Sequence, residues 1–169
     1  MSVRARREAE TEEFLRAVSP RLFRTALLLC GDHHLAEDLV QTALGKIYVS
    51  WGKVSRAEHP QAYARAILTR AYLSHVRLHR TRERPVAHLP ERAARSEEPT
   101  LRLALAQALA QLTPKERAVV VLRYWEDRSV EETAKELRIS QGNVRVRALR
   151  ALAKLRTALE SEREALGER

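Results

Sequence analysis

Cysteine occurs once in this 169-residue chain, at Cys30. A single thiol excludes an intramolecular disulfide framework and a thiolate-rich zinc site alike. Glycine and proline are scarce, five and six residues, which argues against a turn-rich β fold. The longest unbroken apolar runs, Ala26 to Cys30 and Ala118 to Leu122, fall far short of the roughly 20 residues that cross a bilayer. The opening residues, MSVRARREAE, are charged and have no apolar signal core behind them. The expectation is a soluble, cytoplasmic protein with no membrane insertion. A Gly-rich phosphate loop is missing, no Ser/His/Asp spacing suggests a nucleophile, and the carboxylates are scattered as helix-surface pairs. Neither enzymatic activity nor a cofactor is expected. Cys30 with His33 and His34, and the i, i+4 pair His75 and His79, lack further ligands nearby, so no metal site is expected.

What the chain has in excess is positive charge: 31 Lys and Arg against 22 Asp and Glu, net +9. The excess is concentrated. Residues 1–50 are neutral, 51–95 carry net +7 and 96–139 net −1. Residues 140–157 hold five basic side chains and no acid, and the tail 158–169 is net −2. Two basic blocks separated by near-neutral stretches fit two polyanion contacts on one chain.

Ala, Leu, Arg and Glu dominate, and all are good helix formers. Phe14 to Cys30 is helical in pattern and stopped by Gly31. Asp32 then stands where an N-cap is wanted. From there Leu35, Leu39, Ala43, Ile47 and Trp51 recur every four residues, widened by Val40 and Leu44, while Glu37, Asp38, Gln41 and Lys46 lie off that stripe. A break falls at Gly52 to His59, and Pro60 opens a further helix to about Arg80. Residues 81–100 contain Pro85, Pro90 and Pro99 and few large apolar side chains, and read as a tether. Two capping boxes follow, Thr113-Pro114-Lys115-Glu116 and Ser129-Val130-Glu131-Glu132, in which side chain and backbone satisfy each other's orphan amides. The fold class expected is all-α: two small helical domains, 10–80 and 101–160, on a flexible linker.

The segment after Ser129 carries the most information. A short helix with Val130, Ala134 and Leu137 on one side, then Ile139, then a helix capped by Ser140 make a helix-turn-helix, whose second helix enters the major groove. At about 100° per residue, Val144, Ala148, Ala151, Leu152 and Leu155 form its buried stripe. Asn143, Arg147, Arg150 and Lys154 share another side, with Arg145 on the opposite flank. Asn pairs with adenine and Arg with guanine through matched donors and acceptors. In the +7 block, Arg70 and Arg77 lie two turns apart on one helix side. Melted DNA needs such cations together with planar groups on which bases stack. Tyr72 is expected to be exposed for that role, whereas Trp51 and Tyr63 are expected in the core.

The stretch LTPKERAVVVLRYWEDRSVEETAKELRISQGNVRVRALRALAKL, Leu112 to Leu155, resembles the promoter −35-reading domain of bacterial sigma factors. GDHHLAEDLVQTALGKIYVSW (Gly31 to Trp51) and AYARAILTRAYLSHVRLHR (Ala62 to Arg80) resemble their core-polymerase-binding and −10-reading domain. Two such domains on a linker are similar to the small extracytoplasmic-function (ECF) group of the sigma-70 family. The resemblance implies that Glu37, Asp38, Leu39, Gln41 and Lys46 dock on core RNA polymerase. It implies that the loop with Lys53, Arg56 and His59, and the helix with Arg70, Tyr72 and Arg77, hold the melted −10 strand. The helix Gln141 to Leu155 would read −35, and an anti-sigma factor is an expected partner. Many relatives carry Asn where this chain has Arg70, and Thr-Val-Lys-Ser-Arg where it has Asn143-Val144-Arg145-Val146-Arg147, which implies an unusual −35 preference.

The resulting expectation is a non-enzymatic transcription initiation factor acting on promoter DNA with core RNA polymerase. Its rivals are a free-standing helix-turn-helix repressor or activator, which needs a dimerisation surface, and an adaptor whose basic helices bind acidic proteins.

Overall fold

The computed structural model describes residues 2–79 and 99–167, and among them there are helices and no strands. The first helix, α1, spans Val3–Cys30. It begins eleven residues before Phe14, the expected start, because Ser2 caps it by accepting the Ala5 amide at 3.2 Å. The i, i+4 pairs Arg4–Glu8 and Arg6–Glu10 line its solvent-exposed first turns. Such exposed pairs are screened by solvent and add little to stability. Gly31 ends α1 at φ 68°, its amide donating to the Leu27 carbonyl at 2.8 Å. That left-handed conformation is costly for a residue with a Cβ.

Asp32 caps α2 (His33–Val49) by accepting the Leu35 amide at 2.7 Å. A single turn, α3 (Trp51–Val54), leads through residues 55–59 into α4, Pro60–His79. Leu22 and Leu29 of α1, Ile47 of α2, Val54 of α3 and Leu68 of α4 are the largest fully buried side chains of this lobe. Phe14 and Trp51 meet there with ring centroids 5.1 Å apart, Trp51 is buried, and Tyr63 is partly buried against the same core.

The second lobe starts with α5, Pro99–Ala110. Of the stretch read as a tether, 81–98 lies outside the described residues, and Pro99 already belongs to a helix. Thr113 and Glu116 form the expected capping box on α6, Pro114–Val120. The chain then widens into one π-helical turn, Val121–Trp125. Ser129 and Glu132 box α7 (Val130–Leu137), and α8 runs from Gln141 to Gly167. Its buried residues Val144, Ala148, Ala151, Leu155 and Ala158 follow a 4-3-4-3 spacing, the period of one helix face. Leu152, expected in that stripe, is 42% exposed, because it lies at the edge of the arc that α5 and α6 cover.

The lobes pack on each other. Ala118 and Val121 of the second lobe join the core of the first, Leu137 packs against it, and Leu28 of α1 lies against the α5–α6–α8 core. Arg117 is buried at this seam, its Nη1 donating to the Leu29 carbonyl at 3.0 Å and its Nε to the Leu109 carbonyl at 2.8 Å.

Candidate functional site

Local devices fix the position of α8. Arg138 closes α7 in the left-handed region at φ 55°, the Ile139 amide donates to the Ala134 carbonyl at 3.0 Å, and Ser140 accepts the Asn143 amide at 3.1 Å. This corner is the helix-turn-helix read from the sequence. Val119, Ala134, Val144 and Ala148 form its small core, so α7 and α8 hold one fixed angle.

Opposite that core, Asn143, Arg145 and Arg150 are exposed and Arg147 is partly exposed. Arg147 Nε donates to Asn143 Oδ1 at 2.9 Å, leaving the terminal guanidinium nitrogens outward. Among the described residues no carboxylate lies within ion-pair distance of Arg145, Arg147 or Arg150. Lys154 differs: its ammonium sits 2.8 and 3.1 Å from the Glu116 carboxylate oxygens. That pair ties α8 to the α6 cap while the Lys154 side chain stays 45% exposed. Burial acts to raise the Glu116 pKa, but Lys154 and the Thr113 amide outweigh it, so the group lies below the ordinary carboxylate value.

The second basic surface runs from the 52–59 turn along α4. Lys53, Arg56, His59, Arg70 and Arg77 are exposed, and Arg56 Nε donates to the Gly52 carbonyl at 2.6 Å. Tyr72 is not with them. It is 4% exposed, and burial raises its phenol pKa to about 12 although the nearby Arg117 guanidinium acts the other way. The expectation of an exposed base-stacking Tyr72 is therefore corrected: this ring faces the seam. Its spacing from Arg65 is seven residues, and that side of α4 is the one the second lobe covers.

On α2, Glu37, Asp38, Gln41 and Lys46 are exposed, but Leu39 is buried at 4% exposure and cannot dock a partner. Sequence reasoning missed the apolar pair Tyr48 and Val49, 56% and 84% exposed. Val49 lines a shallow groove with Gln41, Gly45 and Lys46 of α2 and Tyr63 and Ile67 of α4. The available signal was that both fall off the four-residue stripe while being apolar. The histidines are accounted for locally: His33 Nε2 lies 3.1 Å from Glu37, and His75 and His79 stack with centroids 4.0 Å apart. Among the described residues no group of three or more His, Cys, Asp or Glu could hold a metal ion.

Two family models match the chain: Sigma-70 region 2 over residues 14–82 and Sigma-70, region 4 over residues 108–157. The chain is 38% identical over 154 residues to the RNA polymerase sigma-E factor of Streptomyces avermitilis, covering 90% of this chain and 86% of that one. It is likewise 38% identical over 152 residues to the RNA polymerase sigma-E factor of Streptomyces coelicolor, at 89% and 86% coverage. A shorter match, 44% over 59 residues, covers 35% of this chain and 30% of the ECF RNA polymerase sigma factor SigX of Bacillus subtilis. Among solved structures, the sigma factor RpoE in complex with the anti-sigma factor NepR from Bartonella quintana has a similar fold. The TM-score is 0.71 at 24% identity, over 89% of this chain and 97% of that one.

Proposed function

The chain belongs to the sigma-70 family, in its ECF group, and from that membership we propose how its surfaces divide the work of a sigma factor. The protein binds core RNA polymerase and directs transcription initiation at specific promoters. Residues 10–80 belong to the lobe for polymerase and the −10 element and residues 101–160 to the lobe for −35, whose first helix already begins at Pro99.

The observation that carries the assignment of residues is the outer face of α8. A helix held by a capped helix-turn-helix, with three arginines that no acid among the described residues neutralises, is suited to the major groove. Asn143, Arg145, Arg147 and Arg150 read and grip −35, while Lys154 serves the fold. Lys53, Arg56, His59, Arg70 and Arg77 hold the −10 strand. Glu37, Asp38, Gln41 and Lys46, with the exposed apolar Tyr48 and Val49, meet the polymerase. No catalytic residue is assigned, because polymerase supplies the chemistry, and the protein works in the cytoplasm alongside it. The solved relative was captured with an anti-sigma factor, which supports a partner of that kind here.

The test is co-elution with purified core polymerase on a sizing column. Wild-type protein should co-elute, and Val49→Glu should lose most of the complex. Co-elution that Val49→Glu leaves untouched moves the docking surface elsewhere on the molecule.

A further inference from the structure

The first turns of α1 precede residue 14, where the region 2 match begins, yet they are anchored to the same lobe. Thr11 is buried, its hydroxyl donating to the Arg7 carbonyl at 2.7 Å, and Phe14 one turn on meets Trp51 at the start of α3. One turn before Thr11, the Arg7 side chain reaches Gly52 of α3. A Cβ placed on Gly52 would stand 3.5 Å from Arg7 Nη2 and 3.3 Å from Arg56 Nη2. Two guanidinium groups from separate segments therefore converge over one glycine. Their Nη2 atoms are no farther apart than the sum of those two distances.

Charge gives the second observation. The acids near Arg7 in the chain are engaged elsewhere, Glu8 with Arg4 and Glu10 with Arg6, and Glu58 lies 3.9 Å from His59. Among the described residues no carboxylate is within ion-pair distance of Arg7, Lys53 or Arg56. Arg56 is held in place, since its Nε donates to the Gly52 carbonyl at 2.6 Å, which leaves its Nη atoms for a ligand. Like charges this close repel, and an anion accepting hydrogen bonds from both relieves the repulsion. A phosphate group suits the gap, because two of its oxygens can each meet one guanidinium. The bare Cα of Gly52 keeps the floor of the site open, where a side chain would press on both arginines.

We propose that Arg7 and Arg56 form a phosphate clip over Gly52 that takes one backbone phosphodiester of single-stranded DNA. The site is open and exposed, as a polymer passing over it requires. It continues the basic surface that runs from Lys53, Arg56 and His59 along α4, and extends that surface onto α1 through a residue that lies outside the matched segment. Naming the bound strand as the melted −10 strand rests on the sigma-factor reading above; the phosphate clip itself does not.

Fluorescence anisotropy of a labelled oligothymidylate, titrated with the full-length chain across a salt series, tests the clip, with circular dichroism confirming that each variant is folded. Arg7→Ala and Arg56→Ala should each bind the strand more weakly. Each phosphate neutralised on a single strand contributes about 0.7 to the slope of log affinity against log salt. Because the two arginines share one phosphate, the double variant should lower that slope by about 0.7, where two independent contacts would lower it by about 1.4. Gly52→Val keeps every charge but fills the gap, and should bind as weakly as Arg7→Ala. Arg6→Ala, whose guanidinium is engaged with Glu10, should bind like wild type. Wild-type affinity in Arg7→Ala or in folded Gly52→Val, or a double-variant loss near 1.4, would overturn the clip. Inorganic phosphate at matched ionic strength should displace the strand from wild type more than from Arg7→Ala. Phosphate binding that depends on Arg7 while strand affinity does not would mark a free-anion site and overturn the assignment to DNA. A wild type that supports no transcription with core polymerase would refute the sigma-factor reading and leave the strand-binding result standing.

Discussion

Arg117 is a buried guanidinium that, among the described residues, faces no carboxylate. It is tolerated because Leu29 offers its carbonyl at the C-terminal end of α1, where the helix dipole favours a cation, and because Leu109 and the Tyr72 hydroxyl share the remaining donors. Arg117→Met should therefore lower stability by about 1–3 kcal/mol, the cost of leaving those acceptors unpaired, measured by urea unfolding. The same environment governs Cys30, whose thiol pKa burial raises from 9.0 to about 11. Its thiolate is then about a hundredfold scarcer at pH 8 than that of an unperturbed thiol, so iodoacetamide should label the native protein correspondingly slowly. Labelling at the rate of the urea-unfolded chain would contradict that burial. On the DNA face, Arg150→Ala should cost about 1–3 kcal/mol at one base pair, whereas Lys154→Ala should lower stability and leave the base preference alone, as a panel of single-base −35 variants would show. The misread residues differ in cause. Tyr72 has the right chemistry for a partner, but what it faces is set by Arg117, 45 residues away on another helix, and spacing along α4 cannot supply that. Leu39 sits in the four-residue stripe that already marked it as core, and only the resemblance pointed outward.

At the level of single elements the sequence was far more legible. Asp32, Thr113, Ser129 and Ser140 all act as the caps they resemble, because a cap is decided within three or four residues. Ser129→Ala should cost about 1 kcal/mol and loosen the corner that aims α8, seen as a lower unfolding midpoint with weakened promoter binding. The Ser129 amide, first among several influences, holds Glu132 below the ordinary carboxylate pKa. Its folded pKa lies below its unfolded value of 4.5, so its stabilisation is present above that pH and lost as acid protonates the folded form. An acid titration of helicity should show that loss below about pH 4.5, and Glu132→Gln should flatten it. Two element features stayed hidden. The first turns of α1 have no apolar stripe to betray them, since Ser2 and surface ion pairs hold them. The π-helical turn at Val121–Trp125 shifts the register and delivers Glu126 to the seam, and no residue type announces it.

For the molecule as a whole, the two-lobe, all-α organisation followed from helix-forming composition, two basic blocks and paired capping boxes. The docking of the lobes did not. Nothing in the local sequence marks Glu126 or Arg117 as buried or Arg65 as partly buried; their partners lie about 60 to 100 residues distant. Charge distribution therefore pointed to polyanion partners, while which charges pair within the chain required coordinates. The central claim is that this chain, added to core polymerase, selects start sites through the outer face of α8. Run-off transcription from a library of templates tests it most directly. The account predicts transcripts of defined length that need both protein and core enzyme and that change template preference at the −35 segment when Arg150 is replaced by Ala. Tight duplex binding with no transcript from any template would contradict it and leave a free-standing DNA-binding protein in its place.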